Sequence, residues 1–528
     1  MRRSIGLLVL FLSAGLAWLS CNKEAQPVRP NVLIVMGDDI SFPHLGVYGT
    51  DWVRTPNCDR LAAEGLTFTN AYTPNPKCGP SRSILLTGRN GWQLGQAINH
   101  LAFWPDSVAT IFEALGKAGY HTGFTGKGWA PGDPGDSNGK KRELVGPAYS
   151  QIKLTPPTTK ISSIDYAANF GAFLRQRKAG KQFAFWYGAL EPHRAYEFGT
   201  GVSLGGYSLA EIDEIPGYWP DTDSVRHDLL DYALEIEHFD HHLGRMLDTL
   251  AVHGELDNTL IIVTADNGMP FPRVKGQLYH DAHHLPFLIR FPAGIKEAST
   301  QVQSLVSFAD VAPTLADYCQ LESDALHLMG WFQGRSLRPL LEGKHPADWP
   351  DFALLGKERH DTGRPNDQGY PIRAIRQGDY LLIVNYKPDR WPAGHPRTGY
   401  LNTDASATKS YILHQYREGN DHYWQLNFGK RSSIELYNLA EDPHCLANLA
   451  QDPAHAAIIE KLRTKMENEL VAQGDLRMAG RGHEYEAFPI AFPDQQQYYE
   501  KFVAGDTVKA GWIIPDDYEP YPLQETAH

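Results

Sequence analysis

Cysteine is scarce in this chain, with five residues among 528. The spacing of Cys21, Cys58, Cys78, Cys319 and Cys445 matches neither a zinc-binding pattern nor a dense framework of disulfides. We expect buried free thiols at 58, 319 and 445, with one Cys58–Cys319 or Cys319–Cys445 bridge as the alternative. Cys78 stands apart because of the residues that follow it.

Positive charge is in deficit, since 62 acidic residues outnumber 49 lysines and arginines. The formal net charge of −13 argues against a nucleic-acid-binding surface. The electrostatic field of a negatively charged protein does not attract an anionic substrate, so any attraction has to come from positively charged groups near the binding site. The length allows a large core and predicts two or three domains.

A long apolar run lies at the amino terminus. Two arginines precede the apolar residues 5–18, a run too short to span a bilayer permanently. It ends in W-L-S-C, which resembles a bacterial lipoprotein cleavage site with Cys21 as the acylated residue. Because Trp18 stands where an aliphatic residue is usual, plain secretion is the alternative. We predict a signal peptide at 1–21, a tether at 22–30 and an exported bacterial protein, periplasmic or a lipoprotein of the outer membrane or cell surface.

The first two thirds of the chain alternate short apolar strands with helical stretches, which is the pattern of an α/β domain. Residues 31–36 form a continuous apolar run, as expected of a strand buried on both faces. The predicted fold is α/β, a large mixed sheet sandwiched by helices. Further strands are predicted at 122–125, 183–188, 260–264 and 286–291, and helices at 56–64, 108–118, 162–178 and 225–250.

The last third of the chain has fewer such alternations and many Tyr, Trp, Pro and Arg residues. Strands at 380–384 and 434–437 and a helix at 453–472 predict a smaller α+β domain. We place the catalytic domain at 31–345 and the smaller domain, which would contribute to substrate selectivity, at 346–528.

Polar residues follow four of the predicted strands at the point where each strand ends. They are Asp38 and Asp39, then Lys127, then His193, and finally Asp266 with Asn267. Ligands bind at the carboxyl ends of the strands in open α/β sheets. Any one of these residues alone is typical of a turn, but four strands with the same feature predict a site.

Four of these residues share one chemistry. Asp38, Asp39, Asp266 and Asn267 offer only oxygen ligands and three negative charges. Such a set suits a hard cation, and its lack of imidazole and thiolate argues against zinc. We therefore predict a metal site at the carboxyl edge of the sheet.

The stretch 78–89 reads C-G-P-S-R-S-I-L-L-T-G-R. Pro80 suits the first turn of a helix, where its missing N–H is not needed, so Cys78 would stand at a helix N-terminus. The free N–H groups there and the guanidinium of Arg82 favour an anion. The stretch resembles the signature of the type I sulfatases, Cys-x-Pro-Ser-Arg followed by Thr-Gly-Arg.

This resemblance implies an alkaline-phosphatase-like fold and the conversion of Cys78 to Cα-formylglycine, whose hydrate attacks sulfur. It implies calcium at Asp38, Asp39, Asp266 and Asn267, with magnesium as the second choice. A maturation partner is implied as well, either a formylglycine-generating enzyme or an anaerobic sulfatase-maturating enzyme.

Further catalytic roles follow from matching family positions. Arg82, Lys127 and Lys275 would hold the sulfate oxygens, where preorganised charge stabilises the transition state. His193 would protonate the leaving group, because the pKa of histidine lies near the working pH.

One departure from the family pattern concerns the residue two positions after Lys127. Many sulfatases carry a substrate-contacting histidine there, whereas this chain has Trp129. Either His193 works without that partner, or another histidine, such as His121 or His360, substitutes for it.

Substrate selectivity is predicted to reside in Glu358, Arg359 and His360, with His360 as the strongest candidate. Acids and arginines suit sugar hydroxyls and carboxylates, although a polar interface between domains is an equally good interpretation of each residue. The stretches 191–194 and 266–272 look most like the sulfamidase branch of the family, which leaves N-sulfate and sulfate ester both open.

The sequence therefore favours an exported sulfatase that acts on sulfated polysaccharide or glycosaminoglycan fragments, such as ulvan or heparan sulfate. A phosphoester or phosphonate hydrolase of the same superfamily is the first alternative, which Cys78 disfavours because such enzymes usually present threonine or serine. A non-catalytic glycan-binding protein at the cell surface is the second alternative. No nucleic-acid partner is expected, and a membrane would be contacted only through a lipid anchor.

Overall fold

A seven-stranded sheet forms the centre of the molecule. The computed structural model describes residues 29–137, 139–519 and 523. All five strands predicted for this half are confirmed, to within one residue at each end. Numbered along the chain, the strands are β1 (Asn31–Gly37), β2 (Leu66–Phe68), β3 (His121–Gly126), β4 (Phe183–Gly188), β5 (Thr259–Ala265), β6 (Phe287–Arg290) and β7 (Thr300–Val302).

The order of the strands brings four carboxyl ends together. Across the sheet the order is β7-β2-β6-β5-β1-β4-β3. Strand β1 pairs in parallel with β5 and β4, and β4 pairs in parallel with β3, whereas β6 is antiparallel to both of its neighbours. The predicted mixed sheet is confirmed, and the residues that follow β5, β1, β4 and β3 meet at one edge.

Helices cover both faces of this sheet. Alternate residues of β1 point to opposite faces, so Leu33 enters one core cluster while Ile34 enters the other. Helices α1, α4 and α5 pack on the first face and the other four on the second. The seven are α1 (Pro56–Ala63), α2 (Cys78–Thr87), α3 (Ile111–Lys117), α4 (Tyr166–Gln176), α5 (Asp223–Val252), α6 (Val311–Tyr318) and α7 (Ser323–Met329).

Capping side chains explain where the helices begin. The helix predicted from 108 begins at Ile111, because Thr110 and Glu113 form a reciprocal capping box. The Thr110 hydroxyl accepts from the Glu113 N–H, and the Glu113 carboxylate accepts from the Thr110 N–H. The predicted start of this helix at residue 108 was therefore too early.

A four-stranded antiparallel sheet lies in the C-terminal part of the chain. Its strands, in spatial order, are β8 (Phe352–Lys357), β9 (Ile372–Gln377), β10 (Tyr380–Asn385) and β11 (Ile434–Asn438). The accompanying helices are α8 (Ala407–Arg417), α9 (His422–Phe428), α10 (Ala456–Ala472) and α11 (Tyr498–Ala504). The predicted smaller α+β unit is confirmed, while its boundary at residue 346 stays a prediction.

Shorter elements join these parts. Short helices lie at Thr200–Ser203, His280–His283, Arg338–Leu341 and His483–Ala487. Two-residue strands pair Ala71–Tyr72 with Val306–Ser307, Ala102–Phe103 with Gly132–Asp133, and Asp136–Ser137 with Lys140–Lys141.

The chain between β10 and β11 returns to the first half of the molecule. Leu413 of α8 and Trp424 of α9 belong to the same core cluster as Leu33 of β1. This return carries residues of the C-terminal part to the carboxyl edge of the large sheet, which matters for the site.

The four cysteines that the structure describes, at positions 58, 78, 319 and 445, are all free and buried. The expected free thiols are therefore confirmed. Residues 1–28 lie outside the described residues, and with them the predicted signal peptide, Cys21 and most of the tether. Within the described part of the chain, no helix is both long and apolar enough to cross a membrane.

Candidate active site

Helix α2 begins at Cys78, as predicted, and all ten of its residues are buried. Lys77 precedes it in an extended conformation, and Gly88 ends it in the left-handed region with φ of 68°. The Cys78 Sγ lies 3.6 Å from Oδ1 of Asp38, the residue that follows β1. The helix therefore holds Cys78 against the carboxyl edge of the sheet.

Three buried carboxylates surround Cys78. Asp38, Asp39 and Asp266 are at most 1% exposed. A carboxylate oxygen of each and the Cys78 Sγ all lie within 4.8 Å of one another. Asp39 adopts φ of 78°, a left-handed conformation that aspartate tolerates better than most residues, and its N–H donates to Asp266 at 3.0 Å. The backbone is thus bent to bring the three carboxylates together.

A close backbone approach positions Lys127 beside this cluster. The Lys127 N–H donates to the carbonyl of Gly188 at 2.8 Å. A Cβ at position 188 would lie 1.9 Å from the Lys127 carbonyl oxygen, so only glycine fits there. The ends of β3 and β4 can therefore meet without a side chain between them.

Three cations pair with the carboxylates. Arg82 contacts Asp266 at 2.8 Å and Lys127 contacts Asp38 at 2.6 Å. Lys275 lies 2.7 Å from both Asp39 and Asp404. Removing one partner from such a buried pair typically costs about 3–5 kcal/mol, because the other charge is left uncompensated. The predicted residues Arg82, Lys127 and Lys275 are thus brought together with the metal-site aspartates.

The carboxylates do not share the same electrostatic environment. Burial acts to raise the pKa of Asp38, but Lys127 and Arg82 outweigh it and lower that pKa to about 2. Burial and the neighbouring Asp38 raise the pKa of Asp266. The cluster is therefore strained by repulsion between its own acids, a condition that an added cation relieves.

Asn267 completes the predicted metal set. Its Nδ2 donates to Asp39 Oδ1 at 2.7 Å, while its buried Oδ1 has no hydrogen-bond partner among the described residues. A buried acceptor without a partner is rare and calls for a ligand. Three carboxylates and this amide oxygen fit a hard divalent cation.

The surroundings of Cys78 disfavour the thiolate form of its side chain. Burial is the main reason that its pKa is raised to about 12, with Asp38 and Asp266 adding to the effect and Lys127 opposing it. The thiolate is the nucleophilic form of cysteine. An unmodified Cys78 would therefore not attack a substrate at neutral pH.

His193 lies at the edge of the cluster, after β4. Its Nε2 is 4.0 Å from Asp39 Oδ2, and its side chain is 29% exposed. Its Nδ1 is 2.7 Å from the carbonyl oxygen of Arg194, so Nδ1 carries a hydrogen and donates it, and Nε2 acts as an acid only when it carries a second hydrogen. The Nε2 atom is thereby left to face a substrate.

These residues border a cavity of about 500 Å³. Asp38, Cys78, Lys127, His193 and Lys275 all lie on its wall. A volume of this size is typical of a small-molecule site.

The C-terminal part closes this cavity. Asp404, which precedes α8, and Trp512 also contribute to its wall. Sequence reasoning missed both because neither belongs to a recognisable motif, and both reach the site only through long-range packing.

Other cavity residues were missed as well. Lys77, His100 and Glu235 line the wall, and the side chain of Glu235 is only 3% exposed. Burial and the charge of Glu191 raise the pKa of Glu235 well above its usual value. Lys77 could have been considered from its position next to Cys78, and Glu235 from the buried polar residues that lie beside it on α5, Asp231 and His238.

Of the three residues predicted to determine selectivity, only His360 lies on the cavity wall. Glu358 instead pairs with Arg477 at 2.6 Å and with Arg373 at 2.9 Å. Arg359 donates to backbone carbonyls of the C-terminal segment, including that of Phe488 at 2.8 Å. Their role in substrate binding stays a prediction, and their contacts are those of a structural interface.

The histidines proposed to replace the family histidine differ in position. His121 is the first residue of β3, at the end of the strand opposite the site, and it stacks on Phe173. Trp129 is 8% exposed, and its Nε1 donates to the hydroxyl of Ser83 at 2.8 Å. His360 is in the cavity, but His121 is not brought to it.

The family model described as Sulfatase matches residues 30–321, more than half of the chain. This chain belongs to the sulfatase family. A second family model, described as N-sulphoglucosamine sulphohydrolase, C-terminal, matches residues 274–392. The chain is accordingly a sulfuric ester hydrolase.

Curated relatives agree along most of their length. The N-sulphoglucosamine sulphohydrolase of Homo sapiens is 28% identical over 480 residues, which covers 83% of this chain and 89% of the relative. An ulvan-active sulfatase of Formosa agariphila is 28% identical over 487 residues, covering 85% of this chain and 76% of the relative.

Solved structures share the fold. The structure of BT4656 in complex with D-glucosamine-2-N,6-O-disulfate has a TM-score of 0.61 at 21% identity, covering 85% of this chain and 99% of that one. The phosphonate monoester hydrolase of Agrobacterium radiobacter has a TM-score of 0.58 at 20% identity, covering 85% and 97%. At such low identity these likenesses support the fold alone.

The carboxylate cluster predicts that a divalent cation stabilises the protein. Saturation at a hundredfold excess over the dissociation constant adds about 2.7 kcal/mol to the free energy of unfolding. We expect calcium or magnesium to raise the melting temperature of the metal-stripped protein more than zinc does. Differential scanning calorimetry measures this without any need for activity.

Matched variants locate that effect. Asp266→Asn should lose the cation-dependent rise, whereas Asp348→Asn, at an aspartate whose side chain is 84% exposed, should retain it. An equal rise in both variants would place the cation elsewhere.

Proposed function

We propose that this enzyme hydrolyses sulfate esters or N-sulfate on fragments of sulfated polysaccharide or glycosaminoglycan. We further propose that it does so through formylglycine at position 78 and a bound calcium ion. The observation that carries the proposal is the place of Cys78, buried among three carboxylates at the wall of a 500 Å³ cavity. The names of three relatives support this substrate class. They are an N-sulphoglucosamine sulphohydrolase, an ulvan-active sulfatase and an N-acetylglucosamine-6-O-sulfatase.

In this proposal, one set of residues holds the cation and a second set binds the sulfate oxygens. Formylglycine would supply the nucleophilic oxygen and the cation would polarise it, with the cation held by Asp38, Asp39, Asp266 and Asn267. Lys127 uses one of its three ammonium hydrogens on Asp38 and Lys275 uses two on Asp39 and Asp404. Both therefore retain a donor for sulfate oxygens.

Arg82 has a different part from the two lysines. Its guanidinium is bound to Asp266 and to the carbonyls of Lys127 and Gly128. We infer that it fixes the carboxylates and the end of β3 and contributes positive charge beneath the sulfate.

Export and maturation belong to the same proposal. The predicted leader at 1–21 would direct export of the chain from the bacterial cytoplasm. After export, a lipid on Cys21 would anchor the protein to a membrane. A formylglycine-generating or anaerobic sulfatase-maturating enzyme would convert Cys78 beforehand.

A panel of sulfated saccharides tests the proposed function. Protein produced together with a maturing enzyme should release inorganic sulfate from heparan, chondroitin, ulvan or carrageenan oligosaccharides, as measured by ion chromatography. Cys78→Ala should release none and should keep the wild-type melting temperature. Release of phosphate or phosphonate products alone, from a parallel panel, would contradict the proposal.

A separate prediction concerns His193 as the general acid. A sugar alkoxide leaves poorly unless it is protonated, whereas a nitrophenolate needs little help. We expect His193→Ala to lose about 10²–10⁴-fold in kcat on a sugar sulfate and far less on nitrophenyl sulfate. The buried Trp129 stands where many sulfatases have a second histidine, so no histidine at that position can donate the proton in place of His193. Equal losses on both substrates would instead assign His193 to binding.

A further inference from the structure

Lys77 is a buried cation on the cavity wall, directly before Cys78. It is 4% exposed. Its backbone is fixed, since its N–H donates to Asn75 at 2.8 Å and its carbonyl accepts from Ser81 at 2.9 Å. Its ammonium group makes no hydrogen bond or ion pair with any residue that the structure describes.

The other lysines of the cavity wall differ from Lys77. Lys127 and Lys275 are paired with carboxylates at 2.6 and 2.7 Å. Lys160 is exposed, so water solvates its charge. A buried charge without a partner is costly to maintain, and a ligand that supplies the opposite charge removes that cost.

Two histidines, His100 and His360, lie close enough to Lys77 for its charge to affect them. The Nε2 of His100 and both ring nitrogens of His360 are buried without a hydrogen-bond partner among the described residues. Both histidines line the cavity, and the charge of Lys77 contributes to lowering the pKa of each, after burial. Lys77, His100 and His360 are called the Lys77 wall below.

The proposed function assigns no role to Lys77. In the proposed function, Arg82, Lys127, Lys275 and His193 already serve the sulfate that is cleaved. The nearby carboxylate Asp404 is bound to Lys275 at 2.7 Å rather than to Lys77. An unassigned buried cation in a substrate cavity fits a second negative group on the substrate.

We propose that Lys77 binds a second anionic substituent of the sugar, distinct from the sulfate that is hydrolysed. The preferred substrate unit then carries two anionic groups, the second being another sulfate or the carboxylate of a neighbouring uronate. This inference rests on the proposed function and deepens it. A charge-assisted hydrogen bond of this kind should change affinity by about tenfold or more.

Binding measurements on unconverted protein test the proposal without turnover. With Cys78 intact and calcium present, calorimetry would compare glucosamine-N-sulfate, glucosamine-6-sulfate and glucosamine-2-N,6-O-disulfate. We expect wild-type protein to bind the disulfate at least about tenfold more tightly than either monosulfate. A uronate-containing disaccharide with one sulfate, compared with its methyl ester, would separate a carboxylate from a second sulfate.

The variant Lys77→Met removes the charge at similar length. It should lose the preference for the doubly charged sugar, while its affinity for the better monosulfate changes less than about threefold. Its melting temperature should equal or exceed that of wild type, because an unpaired buried charge is removed. The matched control Lys160→Met, at an exposed lysine of the same cavity, should keep the preference.

The outcomes separate the two proposals. Equal weakening of all sugars in Lys77→Met would assign Lys77 to the reacting sulfate and overturn the inference. Wild-type protein that binds singly and doubly charged sugars alike would overturn it too, with the proposed function intact. Failure of wild-type protein to bind any sulfated sugar would count against both.

Discussion

The site depends on one electrostatic arrangement, in which three buried carboxylates are held together by three cations. Asp38, Asp39 and Asp266 repel one another at close range, and each is tolerable only because a lysine or arginine contacts it. The parallel strands β5, β1, β4 and β3 end side by side, and the glycine at 188 lets two of those ends approach closely.

The same arrangement accounts for the state of Cys78. Helix α2 places the thiol where burial and two carboxylates suppress its ionisation. A thiol whose ionisation is disfavoured, in a site that stabilises charge on a substrate, suits chemistry on an oxygen nucleophile. The mismatch between the unmodified residue and its setting is what the proposed conversion to formylglycine resolves.

Much of the large sheet could be predicted from the sequence, because strands buried on both faces read as continuous apolar runs. The site residues at the ends of those strands were also predictable, because parallel strands place the residues that follow them at one edge of the sheet. Asp404 was not predictable, because its approach depends on α8 and α9 folding back onto the first core cluster. Trp512 was not predictable either, because it reaches the cavity through a separate contact, in which its Nε1 donates to the Leu401 carbonyl at 2.8 Å. Glu358 and Arg359 show the opposite case, in which charged residues with the composition of a sugar site are used in buried ion pairs and backbone contacts.

The mass of the peptide that contains residue 78 tests the central claim most directly. The protein would be produced in a host with a formylglycine-generating enzyme, digested, and analysed by mass spectrometry. The account predicts a peptide lighter by about 18 Da than the cysteine form, as replacement of the thiol by an aldehyde requires. A peptide that retains the cysteine mass in protein that still releases sulfate from saccharides would contradict it.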